Sequence, residues 1–478
     1  MSKDFTYLLK SDRDPKLRET LYVILMLAWP AILEQIMITL VQYVDTAMVG
    51  SLGAVATASV GLVSTSVWMF NGLFNAAAVG FSVQVAQRLG AGEYHKAQQV
   101  VWQALRFVIL FGVIMGSIGV AVSFPLPALL NADTEIRGGA SLYFRIIACA
   151  MPFTFGANMF SAILRCSGDT KTPMVLNILI NVLNVTLNFL FIYPVRTLTV
   201  FGTSFTMWGA GWGVGGAAFA SACSTTTVCI LFALVIFRRK SNIQINFREC
   251  HRFEKRTLLT VWKLGLPVAL ERVTMNIAQL IITRVISGIG TVAVAANHLA
   301  VTAESVSYMP AFGVSTAGTT LVGQAMGAGR KDLAKKFSHT VIWIGILIMT
   351  CGGLLLFTLA PRLIMIFTKD AAVIELGSRV LRIVAFAEPL FGASIVAGGA
   401  LRGAGDARVP FLLNLCSMWG VRITLSLLLS GSLGLVGVWI AMAAELCVRG
   451  TIFAIRLYRG KWLEIDLFGD KKKTAKNS

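Results

Sequence analysis

Charged side chains are scarce in this chain. Only 14% of its 478 residues are Asp, Glu, Lys or Arg, whereas a soluble globular domain has about 25%. The eight cysteines are scattered and form no CxxC pair and no metal-ligand spacing. These absences argue against a soluble enzyme, a secreted disulfide scaffold and a zinc site.

Most of the sequence consists of long runs of apolar residues. Hydrophobic residues make up 56% of the chain, and its mean hydropathy is +0.74. The first twenty residues are polar and lack the short apolar region and small-residue site of a cleavable signal peptide. We therefore expect a membrane protein whose first apolar segment is retained as a span.

Twelve segments have the roughly 20 mainly apolar residues that a transmembrane helix needs. The first six predicted spans cover residues 21–49, 55–81, 99–122, 140–164, 173–194 and 212–237. The second six cover residues 258–288, 292–320, 338–360, 378–401, 410–430 and 434–457. The predicted fold class is an all-α integral membrane protein with 12 transmembrane helices.

Positive charge is concentrated on one side of these spans. Of the 42 Lys and Arg residues, 30 lie in the N-terminal segment, in alternate loops and in the C-terminal tail. Cytoplasmic loops carry the excess of Lys and Arg in membrane proteins. Both termini are therefore predicted to be cytoplasmic, in a multi-pass protein of the cell (inner or plasma) membrane. The net charge of +19 is attributed to these loops facing anionic lipid, not to nucleic-acid binding.

The two halves of the chain align at a constant offset of 237 residues. The shift carries Pro30 onto Pro267, and the matching pairs recur along both halves; they are Glu34 and Glu271, Gln87 and Gln324, Gly90 and Gly327, Arg165 and Arg402, Asp169 and Asp406, and Asn177 and Asn414. The chain is thus a tandem duplication of a six-helix unit. Because six is even, both copies enter the membrane in the same direction. The two bundles are predicted to be related by a pseudo-two-fold axis along the membrane normal.

The duplication sets the domain boundaries that we expect. In chain order they are a cytoplasmic N-terminal segment (1–20), an N-lobe (21–237), a basic cytoplasmic connecting loop (238–257), a C-lobe (258–457) and a basic cytoplasmic tail (458–478). Two similar bundles joined by a loop can rock and open a central cavity to alternate sides, which favours a transporter over a fixed pore.

Three motifs stand out in the sequence: VDTAMVG at 44–50, GQAMGAGR at 323–330 and GALRGAGD at 399–406. They resemble the motifs of the MATE (multidrug and toxic compound extrusion) family, in particular its bacterial NorM-type branch. The resemblance covers roughly residues 20–460 and has the right span count. It implies a secondary active antiporter, not an enzyme, that exports cationic or amphipathic compounds in exchange for Na⁺ or H⁺ by alternating access of two lobes.

Carboxylates at membrane depth are the candidate ion sites. Such groups are costly in hydrocarbon unless paired or solvated, so each is a functional candidate. Asp45 matches the family's functional aspartate on the first helix and is the candidate Na⁺ ligand. The pair Asn184 and Asn188 resembles the family's asparagines on the fifth helix, although interhelical hydrogen bonding is the alternative role. Glu34 lies three turns before Asp45 and shares a setting with Glu271, which leaves a structural role open for both.

The second lobe departs from the family pattern. The acids of Na⁺-coupled NorM-type members fall here on Met275 and Phe391. Glu271 and Glu388 stand about one turn before these positions on the same helical faces. We therefore expect a cation-coupling site built from Glu271 and Glu388, with Na⁺ and H⁺ both open as the coupling ion.

Large apolar side chains are the candidates for an adaptable substrate cavity, since Met and aromatic residues suit promiscuous surfaces. The candidates are Trp68, Met69, Phe70, Phe153 and Met309; packing or lipid contact is their alternative role. We expect a monomer in the lipid bilayer with small-molecule substrates, no nucleic-acid partner and no cofactor besides the coupling ion. The alternative functions are a lipid-linked precursor flippase of the same superfamily and, from a different class, a cation channel.

Overall fold

A computed structural model describes residues 8–9, 15–130, 132–200, 203–238 and 254–468. Most of the predicted N-terminal segment, most of the connecting loop and residues 469–478 of the tail therefore lie outside the described residues. Within them the chain forms twelve long helices in two lobes, as predicted, together with a short β-hairpin that the sequence analysis missed. By length and composition, seven of the described helices and the continuous segment Arg408–Tyr458 can cross a membrane, and a bent pair forms a ninth such span.

The first lobe contains helices α1 to α6. Their bounds are α1 Leu17–Gly50, α2 Ala54–Gly90, α3 Tyr94–Ser123, α4 Thr134–Cys166, α5 Lys171–Phe191 and α6 Gly213–Arg238. The hairpin connects α5 to α6 through strands β1 (Pro194–Val200) and β2 (Thr203–Ala210), which pair antiparallel. The fifth helix is shorter than the predicted span 173–194, because the chain turns after Phe191 and enters β1 at Pro194.

The second lobe contains helices α7 to α12. The first three are α7 Lys255–Ser287, α8 Thr291–Gly327 and α9 Lys331–Met365. The tenth span is two helices, α10a (Ala371–Ala385) and α10b (Glu388–Ala404), bent by 59°. Helix α11 begins as Arg408–Ser417, passes through a π-helical turn at Met418–Ile423 and continues into the helix Thr424–Tyr458. Non-helical backbone at Gly434 separates α11 from α12 (435–458).

The turns between helices repeat at the same offset as the sequence. Gly53 and Gly290, which precede α2 and α8, have φ angles of 105° and 134°. Gly92 and Gly329, which follow the same two helices, both have φ of 74°. Residues with a Cβ rarely adopt such angles. The same backbone device therefore closes equivalent turns in both lobes, which is the geometry expected of a duplication.

Each lobe has its own apolar core, but α1 is shared between them. The N-lobe core includes the stacked rings of Phe74 and Phe155, whose centroids are 4.9 Å apart. The first half of α1, through Val23 and Leu27, packs instead in the C-lobe core with α8 to α10b. In return, Val261 at the start of α7 packs in the N-lobe core. This reciprocal exchange ties the lobes together near the membrane face at which α1 and α7 begin.

We call that face the basic face, because α1 and α7 begin there and α2 and α8 end there, in the predicted cytoplasmic segments 88–98 and 330–336, which together hold six Lys and Arg residues. At this face the last turns of α2 (84–90) and α8 (320–327) contact each other across the lobes; we call this contact the inter-lobe seam. A short 3₁₀-helix at Lys461–Glu464 follows α12. It leads to Phe468, whose ring lies 3.5 Å from the guanidinium carbon of Arg88 at the end of α2.

Candidate functional site

Asparagines of α5 connect that helix to α1 at three levels. Nearest the basic face, Asn177 Nδ2 donates to Glu34 Oε1 at 2.8 Å. One turn further, Asn181 Nδ2 donates to the Met37 carbonyl at 2.9 Å. A single stripe of α5 thus faces α1, as expected from a spacing of three and four residues.

The third level joins three residues that the sequence analysis named as candidates, Asp45, Asn184 and Asn188. Asn188 Nδ2 lies 2.5 Å from Asp45 Oδ1 and 3.0 Å from Asn184 Oδ1, and it donates to both. Asn184 Nδ2 in turn donates to Ser221 Oγ of α6 at 3.0 Å. Both asparagines are buried, and Asp45 is half-buried. The role of these residues stays a prediction, but their proximity is a feature of the fold.

An unused acceptor lies beside this carboxylate. The buried Asn188 Oδ1 has no hydrogen-bond partner among the described residues. A buried carbonyl oxygen without a donor is unfavourable in an apolar interior. Oxygen atoms of carboxylate and amide groups are the ligands that hard cations prefer. The donor set of Asp45 and Asn188 therefore fits a small cation or a proton that would supply the missing positive partner.

Glu34 is held differently, because it has an arginine. Arg165 Nη1 donates to Glu34 Oε1 at 2.5 Å, and Ser161 Oγ donates to the same oxygen at 3.2 Å. The equivalent Glu271 accepts from Asn414 Nδ2 at 2.8 Å and lies 3.7 Å from Arg402 Nη1. Both lobes thus repeat the same cluster of glutamate, arginine and asparagine. This pairing favours the structural role that the sequence left open for Glu34 and Glu271.

A second group of carboxyls lies inside the C-lobe. Glu304 of α8, Glu388 of α10b and Glu445 of α12 are all buried. Glu445 Oε1 accepts from Ser417 Oγ at 2.9 Å and lies 3.2 Å from Arg449 Nε, with which it forms an ion pair. Arg422, which the π-helical turn of α11 presents, interacts electrostatically with Glu304 and Glu445. Three carboxyl groups therefore face two guanidinium groups.

Glu388 is the member of this group without an arginine among the described residues. Ser307 Oγ donates to Glu388 Oε2 at 2.7 Å, and the buried Oε1 has no hydrogen-bond partner among the described residues. The bend between α10a and α10b makes Glu388 the first residue of α10b, where the positive end of the helix dipole favours a negative charge. Glu388 is therefore the C-lobe carboxyl that is most in need of a cation.

The cation-coupling site expected of Glu271 and Glu388 stays a prediction. In the part of the chain that the structure describes, the two carboxyls have different partners. Glu271 belongs to the arginine cluster of α10b and α11, whereas Glu388 faces α8. Met275 and Phe391, the positions of the family's acids, pack against the same apolar core of the C-lobe.

The substrate-cavity candidates separate by exposure. Trp68, Met69 and Phe153 are exposed, and Met309 is half-buried. Phe70 is the exception, because only 8% of its surface is exposed. Its ring packs in the N-lobe core, where its centroid lies 6.2 Å from the ring centroid of Phe144. In this conformation Phe70 is a packing residue, which corrects its prediction as a cavity-lining side chain.

Several polar neighbours of these sites were missed by the sequence analysis. The phenol of Tyr143 in α4 is near enough to the Asp45 carboxyl for the two groups to interact electrostatically. Ser307 and Ser221 are single hydroxyls on other helices and leave no signal in one sequence. Arg449 could have been found, because it follows Glu445 by four residues and so shares its helical face.

Comparisons with known proteins agree with this architecture. A family model described as MatE matches the chain over residues 30–190 and 267–428, once in each lobe. A protein named probable multidrug resistance protein NorM, from Thermotoga maritima, is 29% identical over 468 residues, which are 96% of this chain and 96% of that protein.

Two solved structures share the fold. A MOP superfamily transporter from Pyrococcus furiosus, described as having a binding pocket of reverse polarity, has a TM-score of 0.86 and 22% identity over 98% of this chain and 100% of its own. An outward-facing multidrug resistance MATE family transporter of the MOP superfamily has a TM-score of 0.85 and 23% identity over 96% of this chain and 99% of its own.

Proposed function

The chain belongs to the MatE family, and from this premise we propose that it is a secondary active antiporter which exports cationic or amphipathic organic compounds in exchange for Na⁺ or H⁺. The coarser part of this statement, a multi-pass membrane transporter for small molecules in multidrug efflux, agrees with the names of its relatives. The coupling ion and the mechanism are the new elements. Asp45 beside the unpaired Asn188 Oδ1 is the observation that carries them.

The proposed orientation places the basic face in the cytoplasm of the cell membrane. Lys and Arg are enriched in cytoplasmic loops, and the sequence analysis assigns 30 of the 42 such residues to this side. With this orientation the inter-lobe seam closes the cytoplasmic side, so we expect a cavity between the lobes to open to the outside. Rocking of the two lobes, with opening of the seam, would then expose this cavity to the cytoplasm.

Ion capture at Asp45 supplies a reason for the lobes to change arrangement. In the described residues Asp45 has an amide partner but no arginine, so its negative charge is left without a compensating cation in a largely apolar setting. Binding Na⁺ or H⁺ removes that charge. A ligand shifts a two-state equilibrium by its difference in affinity for the two states. A site that is complete in one arrangement and distorted in the other therefore couples ion entry to substrate exit.

Glu388 is the proposed second coupling group. Replacement by glutamine keeps the size of the side chain and its bond to Ser307 but removes the uncompensated charge. We expect Glu388→Gln to reduce the ion dependence of efflux by about tenfold, since interactions with a charged group contribute on the order of 1.5–3 kcal/mol. The measurement is the initial rate of ethidium transport with and without an imposed ion gradient.

Glu375→Gln is the matched control for this variant. Glu375 is an exposed acid of α10a, so its loss should leave the ion dependence within about twofold of the wild type. Unchanged ion dependence in Glu388→Gln, with normal membrane insertion, would remove the C-lobe group from the coupling mechanism.

The proposed function is tested in inverted membrane vesicles, with ethidium as the fluorescent cationic probe. Na⁺ and H⁺ gradients are imposed separately, at a membrane potential clamped with K⁺ and valinomycin. An antiporter accumulates ethidium when at least one of the two gradients is present and stops when it collapses. A channel equilibrates ethidium without a gradient, and a flippase leaves it unmoved under all conditions. Either of these last two results contradicts the proposal.

A further inference from the structure

Two glutamines cross the inter-lobe seam in equivalent positions. Gln87 of α2 donates from Nε2 to the carbonyl of Gly403 in α10b at 3.1 Å. Gln324 of α8 donates from Nε2 to the carbonyl of Cys166 in α4 at 2.8 Å. The donors are 237 residues apart, and so are the acceptors. Each lobe therefore holds the other by the same bond.

Both acceptors are carbonyls at the ends of helices. Cys166 is the last residue of α4, and Gly403 is the last but one of α10b. The last four carbonyls of a helix have no partner within it. Each glutamine thus caps a free helix end of the opposite lobe, where water would otherwise bind.

The backbones of α2 and α8 approach closely beside these bonds. A Cβ added at Gly90 would lie 2.0 Å from the carbonyl oxygen of Gln324, and one added at Gly327 would lie 1.9 Å from that of Gln87. Any side chain at either glycine would hold the helices apart. The two glycines therefore allow α2 and α8 to approach closely enough for each glutamine to form its hydrogen bond with the opposite lobe.

The seam is sealed from solvent. Gln324 is 0% exposed and Gln87 is 5% exposed. Thr320 Oγ1 adds a third bond across the lobes, to the carbonyl of Arg165 at 3.1 Å. Buried polar groups need their partners, so the seam is stable when all these bonds form together. When the seam opens, water can take the place of each of these hydrogen-bond partners.

We propose that Gln87 and Gln324 form a two-fold-symmetric clasp that holds the basic face closed and sets the fraction of molecules in which it is open. The inference rests on the proposed function, because it assigns these bonds to one half of the transport cycle. Neutral hydrogen bonds suit this role better than buried ion pairs. A clasp that must open in every cycle needs bonds that water can replace at modest cost.

The native thiol of Cys166 reports on the seam. Cys166 is buried at the seam. In purified protein in lipid nanodiscs, N-ethylmaleimide should modify Cys166 only when the seam opens, and peptide mass spectrometry gives the rate of modification in each variant relative to that in the wild type. Gln87→Leu is the informative variant, because its bond goes to Gly403 and not to Cys166.

We expect Gln87→Leu and Gln324→Leu each to raise the relative rate at Cys166 by about fivefold, which corresponds to one net hydrogen bond. The double variant should raise it by about 25-fold when the two bonds act independently. Gly90→Ala should act in the same direction by holding α2 away from α8. This steric variant keeps the test decisive when a glutamine variant folds poorly.

Two matched controls separate seam opening from general loosening. Gln103→Leu removes a buried glutamine within the N-lobe, and Gly61→Ala adds a Cβ on α2 where it meets no atom within 4 Å. Both should leave the rate at Cys166 within about twofold of the wild type. The clasp is refuted when Gln87→Leu and Gly90→Ala leave this rate unchanged, or when the controls raise it equally. Absence of ion-driven ethidium transport by the wild type would instead refute the antiport proposal, whatever the thiol rates.

Discussion

Asp45→Asn is expected to remove most of the ion-driven efflux while the protein still folds and inserts. Asparagine keeps the size of the side chain and an acceptor for Asn188 Nδ2, whose bond to Asp45 is 2.5 Å long. It cannot change its charge by taking up a cation. The expected loss is tenfold to about a hundredfold in the gradient-dependent rate, from the 1.5–3 kcal/mol typical of interactions with a charged group. The assay is ethidium efflux from cells or vesicles, normalised to the amount of protein in the membrane.

Asp133→Asn is the matched control in the same lobe. Asp133 precedes α4, is exposed and makes no capping hydrogen bond from its side chain. Its replacement should leave efflux unchanged. Drug resistance of Asp45→Asn cells equal to that of wild-type cells would show that the charge at Asp45 has no part in coupling.

Arg165→Met is expected to have the largest effect on stability. Glu34 is 1% exposed and has Arg165 as its positive partner. Removing one member of a buried pair leaves the other charge uncompensated and costs on the order of 3 kcal/mol. The loss should appear as a lower unfolding midpoint of the purified protein in detergent, and as less protein in the membrane.

A second substitution distinguishes charge imbalance from lost packing. In the double variant Glu34→Gln with Arg165→Met, the uncompensated carboxylate is gone, so a large part of the stability should return. The equivalent Arg402→Met should cost less, because Arg402 lies 3.7 Å from Glu271 instead of 2.5 Å. Equal midpoints for wild type and Arg165→Met would show that the pair contributes nothing to the folded state.

The helices and the duplication could be predicted because they depend on local and repeated features of the sequence. Runs of apolar residues specify membrane helices with little help from tertiary contacts, and the 237-residue offset reappears in the glycine turns at 53 and 290. The hairpin 194–210 and the bend before Glu388 were missed. Both arise where a helix ends against neighbouring elements, and no periodicity marks such a position.

The candidate site was predictable only where its residues share one helix face. Asn184 and Asn188 are four residues apart, so their proximity follows from helix geometry. Their approach to Asp45 depends on how α5 packs on α1. The arginine of Glu34 comes from α4, 131 residues further along the chain, and the hydroxyl of Ser307 reaches Glu388 from α8. Contacts of this kind are set by the tertiary arrangement, which single-sequence patterns do not encode.

The most direct test of the account is reciprocal flux in proteoliposomes held at zero membrane potential. An ethidium gradient is imposed across the membrane, and Na⁺-sensitive and pH-sensitive dyes report on cation movement. Wild-type protein should drive one of the two cations in the direction opposite to ethidium, and Asp45→Asn should drive neither. Movement of ethidium through the wild-type protein without any opposing movement of Na⁺ or H⁺ would contradict coupling by cation capture at Asp45.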